Sequence, residues 1–296
     1  MGSALISHFL RGLRRSGNAM SFGGRLRLSQ SILRRVFRFV DREVTISDFN
    51  GKFVIRLILS EHMQRRIFWM GYYSTDIVAL LKRVLRPGMV VADVGANIGE
   101  ITLVSAKCVG SEGKVIAFEP VNAIADRLAE HVQVNGLNQV LIRREALGTK
   151  IGDRVPIYAS CGQDVSDDHQ GLASLYGENE GQAPIQYVNV TTLDEVTSSL
   201  SLAPIDLIKI DVEGGELACL QGAERVLRRS RPMLIVEVQK FSARQAGWDV
   251  DELFRYLQRF GYEFFTIGSR GRLRALDLSS LVDFQNVFCK VRDRVE

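Results

Sequence analysis

The apolar run Met89-Val90-Val91-Ala92 leads directly into Asp93-Val94-Gly95-Ala96-Asn97-Ile98-Gly99 and a helix-forming stretch from Glu100. No other segment constrains the fold as tightly. A strand, a glycine turn and a helix start, in that order, form the ligand-binding corner of an open α/β sheet: glycines let backbone approach the ligand, and the helix start points free N–H groups at it. The spacing also selects the ligand. A dinucleotide pyrophosphate is met by GxGxxG, and Asn97 stands where the second glycine of that pattern belongs.

A turn that offers a carboxylate, an amide and backbone donors instead suits a phosphate-free nucleoside with a cationic sulfonium, an amino group and a carboxylate, namely S-adenosylmethionine. Lys114–Phe118 reads as the next strand, ending in Glu119, 20 residues beyond Gly99. An acid at that distance meets ribose hydroxyls in such folds. Two rival readings share these features: a nicotinamide-dependent oxidoreductase, and a noncatalytic protein that binds the nucleoside.

Alternation along the chain extends the pattern. Strands at 44–47 and 52–59 are joined at Asn50-Gly51, a strong hairpin dipeptide, and 76–85 is an amphipathic helix that stops at Pro87-Gly88. Beyond the strand at 114–118 come a helix at 122–135 and a strand at 140–145. Residues 153–192 break the alternation and read as an inserted hairpin carrying a polar loop. It resumes with the strand Asp206–Asp211, a helix at 216–227, a strand at 233–238, a helix at 253–260 and strands at 263–267 and 287–291. The expected architecture is a Rossmann-like, doubly wound α/β sheet with an N-terminal hairpin extension and an inserted hairpin. The chain divides into an arm at 1–40, a hairpin and helix cap at 41–88, and the sheet domain at 89–296. By the strand-end rule Asp93, Glu119, Asp211 and Glu237 then share one rim.

Charge is unevenly placed. Residues 1–40 hold eight arginines and no acid, so the remainder is mildly acidic although the chain carries +4. That balance argues against a nucleic-acid partner. Leu5, Ile6, Phe9, Leu10 and Leu13 fall on one face of a helix between arginines, as in a segment that touches a membrane surface. A packed helix, a basic tail or an organelle transit peptide has the same composition. Four cysteines without a CxxC pair, and no long apolar run, point to a reducing, cytoplasmic setting. The sequence leaves the oligomeric state open.

Asp93–Gly99, Phe118-Glu119-Pro120, Gly171–Leu175 (GLASL), Thr192–Glu195 (TLDE), Asp206–Gly214 (DLIKIDVEG) and Asn286-Val287-Phe288 resemble, in order and spacing, the FkbM family of S-adenosylmethionine-dependent methyltransferases, over roughly 44–291. The chain departs from many relatives at Ser74, where they carry an acid. The resemblance implies methylation of hydroxyl groups on sugars or other small molecules. It places Asp93, Gly95, Asn97 and Gly99 on the methionyl part, Glu119 on the ribose and Ala146 near the adenine, with Thr102 adding a hydroxyl to the methionyl carboxylate.

Methyl transfer to a hydroxyl needs alignment and a destination for the hydroxyl proton. Asp211, Glu213 and Glu237 are the candidate bases. Glu213 could instead be an acid stabilising a helix start, and Asp211 could bind the cofactor. Lys209, two residues before Asp211 and so on the same strand face, is expected to pair with it. No metal ligand is assigned, although Asp164, Asp167, Asp168 and His169 form one acidic loop with suitable atoms. His8, His62 and His131 are expected to be surface or core residues. Trp69, Tyr72, Tyr73, Tyr158, Tyr176 and Trp248 could wall an acceptor pocket or simply pack.

Overall fold

The computed structural model describes Gly12 and residues 42–159, 173–176 and 183–292. It forms two compact units. One comprises Met1–Thr75 with Cys161–Gly171, and the other Asp76–Ser160 with Leu172–Glu296. The division between the units falls between Thr75 and Asp76. The arginine-rich arm, apart from Gly12, and the acidic loop at 164–169 lie outside the described residues.

In the first unit β1 (Glu43–Phe49) and β2 (Phe53–Ile58) pair antiparallel. Asn50 and Gly51 both take positive φ, 48° and 92°, which the tight turn between right-twisted strands requires. Val44, Ile46, Ile55 and Leu57 are buried at alternate positions. Helix α1 (His62–Met70) follows, unannounced by the sequence. Its polar residues Gln64 and Arg65 are buried because they satisfy backbone left open at the strand exit: Ile58 N–H donates to Gln64 Oε1 (2.7 Å), and Arg65 donates to the carbonyls of Leu59 and Ser60 (3.1 and 2.7 Å).

From α2 (Thr75–Val84) onward the chain runs β3 (Val90–Val94), α3 (Glu100–Val109), β4 (Lys114–Phe118), α4 (Asn122–Val134) and β5 (Val140–Arg143). Next come β6 (Ala146–Leu147), β7 (Gly152–Ala159), β8 (Ala173–Ser174), β9 (Gln186–Thr191), α5 (Leu193–Ser199) and β10 (Leu207–Ile210). The remainder is α6 (Glu216–Gln221), α7 (Glu224–Arg229), β11 (Met233–Gln239), α8 (Lys240–Gln245), α9 (Val250–Gln258), β12 (Tyr262–Gly268), β13 (Arg272–Ala275) and β14 (Phe284–Val291).

Eight strands form the main sheet in the order β13-β12-β14-β11-β10-β3-β4-β5. The five from β11 to β5 are parallel and mostly apolar, as strands covered on both faces are, with the buried charges Asp93, Lys209 and Glu237 among the exceptions. The last three pair antiparallel. Ala92, Val94, Ile116, Phe118, Ile208, Ile210, Leu234 and Val236 share one core with Leu217 and Leu220 of α6 and Leu253 and Leu257 of α9. The inserted segment forms its own small sheet, β6-β9-β7-β8, with β7 and β9 antiparallel as expected.

Two expected elements differ. The strand at 140–145 ends at Arg143, and Ala146 leaves the main sheet to pair with Val190. The helix expected over 216–227 is two helices parted at Gly222, where a Cβ would lie 2.0 Å from the Gly148 carbonyl oxygen and where the Gly222 carbonyl accepts Asp194 N–H (3.0 Å).

Candidate active site

Strand β3 lies between β10 and β4, and the chain winds outward from it in both directions. The crevice at the carboxyl ends of β3 and β10 is therefore the switch point, where an open sheet leaves room for a ligand. Asp93 in β3, Glu119 after β4, Asp211 after β10 and Glu237 in β11 all stand at these ends.

The glycine turn is built without slack. Gly95 takes φ +79°, and a Cβ there would lie 1.8 Å from the Asp211 carbonyl oxygen, so the turn presses on the backbone leaving β10. Gly99 takes φ +101° and starts α3. Asn97, at φ 49°, turns its Oδ1 onto Ile98 N–H (2.7 Å), a local bond that helps a non-glycine hold the left-handed region. Its own N–H donates to Glu119 Oε2 (2.9 Å), while Val121 N–H donates to Oε1 (3.0 Å). Glu119 thus ties the turn to the end of β4. Burial pushes its carboxyl up to about 7 against the pull of those two N–H groups.

Asp93 is fully buried. Its Oδ2 accepts from the Thr102 hydroxyl (2.6 Å), whereas Oδ1 has no partner. Burial raises its pKa, opposed by the Lys209 cation and the Thr102 bond. A buried acceptor left without a donor costs about 1–3 kcal/mol. A ligand ammonium at Oδ1 would recover that cost, so an amino-acid nucleoside fits the cradle.

On the other wall Lys209 is buried, its side chain only 5% exposed, with Nζ 2.6 Å from Asp211 Oδ2. Burial opposes the charge on Asp211, but Lys209 and a hydrogen bond from Glu237 hold its carboxyl below the usual range. Glu237 is driven the other way. Burial, the negative Asp211 and the bond it donates to that residue raise its pKa well above the ordinary value. Oxygens of Asp211, Glu213 and Glu237 approach within 4.8 Å of one another. The Lys209 cation offsets part of the repulsion expected at that spacing.

Glu213 takes φ 49°. Its carbonyl accepts from the Ser174 hydroxyl (2.8 Å) and its Oε2 from Ser242 (3.3 Å), while Trp248 Nε1 donates to the next carbonyl, Gly214 (2.8 Å). Three separate segments thus hold the loop between β10 and α6.

Residues 93–264 match the family model described as the methyltransferase FkbM domain. The chain belongs to the FkbM methyltransferase family. AMB antimetabolite synthetase AmbE from Pseudomonas aeruginosa is 29% identical over 231 residues, covering 69% of this chain and 11% of that protein. The hexuronic acid methyltransferase AglP of Haloferax volcanii is 28% identical over 163 residues, covering 55% of this chain and 61% of that one. The chain thus spans less than two thirds of the length of either relative. Among solved structures, the methyltransferase FkbM from Methylobacillus flagellatus KT matches with a TM-score of 0.44 at 16% identity, over 76% of this chain and 54% of that one.

As a member of this family the chain carries a methyltransferase domain of the FkbM type. Several side chains of this FkbM-family domain have their contacts within the fold. The Thr102 hydroxyl is engaged by Asp93. Glu213 does not begin the helix after β10; that position belongs to Glu216, whose Oε1 accepts the N–H groups of Val212 and Gly214 (3.3 and 3.2 Å) and whose carboxyl burial raises to about 7. Ala146 opens β6, buried against Val190. His131 is a core residue whose Nδ1 donates to the Ile98 carbonyl (2.8 Å).

Trp69 and Trp248 are buried, and the Tyr72 hydroxyl donates to Asn50 Oδ1 (2.8 Å). Among the described residues, no helix is long and apolar enough to cross a membrane. Sequence reasoning passed over Ser174, Ser242 and Glu216. Ser174 lay inside the quoted GLASL segment, a signal that was available. Glu216 stood at the start of the expected helix, where an acid meets free N–H groups, so it too was legible; Ser242 carried no signal, because only folding brings it to Glu213.

Proposed function

We propose that the protein O-methylates a hydroxyl group of a sugar or other small polyhydroxylated molecule, with Asp211 as the base. The observation that carries this reading is the contact between cradle and base: the Gly95 turn abuts the Asp211 backbone, and the Asp211 carboxylate is held ionised beside it by Lys209. When bound, S-adenosylmethionine supplies a methyl group on a cationic sulfur, which an attacking oxygen takes as the carbon–sulfur bond breaks and its electron pair stays on sulfur. Asp93, Gly95, Asn97 and Gly99 would hold the methionyl part, Glu119 the ribose, and Ala146 would border the adenine. Asp211 orients the acceptor hydroxyl and takes its proton, and Glu213 and Glu237 lie close enough to receive neighbouring hydroxyls.

The likeness to a hexuronic acid methyltransferase supports a carbohydrate acceptor. A uronic acid offers both hydroxyl and carboxyl oxygens, and the two products are chemically distinct. The test incubates the enzyme with methyl-labelled S-adenosylmethionine and a panel of hexoses, hexuronic acids and fractionated cell extract. An alkali-stable methyl ether is expected, lost in Asp211→Asn. Label released by mild alkali would show an ester and refute hydroxyl methylation; label in protein or nucleic acid would refute the acceptor class.

A further inference from the structure

The clustered carboxyl groups of Asp211, Glu213 and Glu237 leave a question that the methyl-transfer reading raises without answering: which of them is charged. The sheet register supplies the geometry. Lys209 stands opposite Asp93 of β3 and Ile235 of β11, and extending the β10–β11 register two residues beyond that pair sets Asp211 beside Glu237. Lys209 and Asp211, two residues apart, project on the same face. Asp93 and Lys209 are fully buried or nearly so and Glu237 is 9% exposed, while the Asp211 side chain, 32% exposed, opens toward the crevice.

We propose that Lys209 is a positioning residue that fixes the single proton of the Asp211–Glu237 pair on Glu237, so that Asp211 alone is the free base of the site. This inference rests on the methyltransferase reading above and assigns the roles within it. The asymmetry lies in which carboxylate the cation bonds. Lys209 Nζ bonds Asp211 directly at 2.6 Å, while its influence on Glu237 is through space. Two carboxyl groups in hydrogen-bond contact cannot both ionise cheaply, and a cation bonded to one of them sends the proton to the other.

Groups facing the pair from the surrounding segments agree with this assignment. Asp93 from β3 and Glu213 from the loop after β10 are acids, Glu216 at the start of α6 is held by backbone N–H groups, and Ser242 of α8 donates to Glu213. Among the groups acting on Asp211 and Glu237 in the described structure, Lys209 is the one cation. Glu237 then acts as a neutral donor that steadies Asp211, and the acceptor hydroxyl's proton passes to Asp211.

The test reads protonation directly, by carbon NMR of the full chain labelled at Asp and Glu carboxyls, titrated with and without S-adenosylhomocysteine and assigned with Asp211→Asn and Glu237→Gln. At neutral pH the expected result is an ionised Asp211 beside a protonated Glu237. In Lys209→Met the Asp211 midpoint should rise by about one pH unit or more, and Lys209→Arg should keep the original order. A protonated Asp211 beside an ionised Glu237, or a Lys209→Met protein with an unmoved Asp211 midpoint, would overturn the proposal.

Should Lys209→Met fail to fold, Glu237→Gln decides. It has the shape and donor of the protonated acid, so it should melt within a few degrees of the parent, and a collapse of stability would show that Glu237 is charged. Because the order of protonation is also read without ligand, failure to bind S-adenosylhomocysteine would refute the methyltransferase reading separately.

Discussion

Gly95 and Glu119 show how single side chains carry this site. Gly95 has both a left-handed φ and no space, so Gly95→Ala must displace the Asp211 backbone. A loss of roughly 3 kcal/mol or more is expected, since strain and overlap add. Thermal melting would measure it, and a melting temperature near the parent's would mean that the turn is looser than described. Glu119 is predicted to make cofactor binding pH-dependent. As an acceptor for ribose hydroxyls it should act ionised, yet burial sets its pKa at about 7. The dissociation constant for S-adenosylhomocysteine should therefore rise as pH falls through 7, approaching about tenfold per pH unit at the acid end. Glu119→Gln should bind more weakly and lose this dependence; calorimetry at pH 5.5, 6.5 and 8 separates the outcomes.

The parallel strands were legible because they are short apolar runs that end in acids or turn residues, and the sheet leaves such runs no polar face. Asn50-Gly51 announced the hairpin by its turn chemistry. Helix α1 was not legible, since its buried Gln64 and Arg65 break the apolar periodicity and are explained only by the backbone groups they reach. The break between α6 and α7 was equally hidden. Intrinsic propensity favours alanine over glycine at position 222 by about 1 kcal/mol, but the approach of Gly148 forbids a Cβ there. Gly222→Ala is accordingly expected to destabilise the protein by about 2 kcal/mol or more rather than stabilise it. Denaturant unfolding gives the sign, and a stabilised variant would show that the Gly148 loop yields.

Taken over the entire chain, the buried acids set a pH profile for stability. Glu119 and Glu216 have folded-state values raised to about 7 from 4.5, so between those limits the folded protein binds more protons than the unfolded one. Stability must then fall as pH rises through that window. Asp211, held low, contributes in the opposite sense, with stability lost as pH drops below its unfolded value of 3.8. The ligand-free protein should thus melt highest near pH 4.5–5.5 and decline toward pH 8. Glu119→Gln with Glu216→Gln should flatten the decline, and a melting temperature that climbs from pH 5 to 8 would contradict these assignments. Sequence alone determined the doubly wound sheet, the nucleoside cradle and the four acids at one rim, because strand periodicity and strand-end placement are local properties that survive without coordinates. Tertiary structure decided why Thr102 serves Asp93, how Glu119 ties the turn to β4, and how Ser174 and Ser242 grip Glu213. Those outcomes depend on burial and on contacts between residues up to dozens of positions apart, which no local pattern encodes.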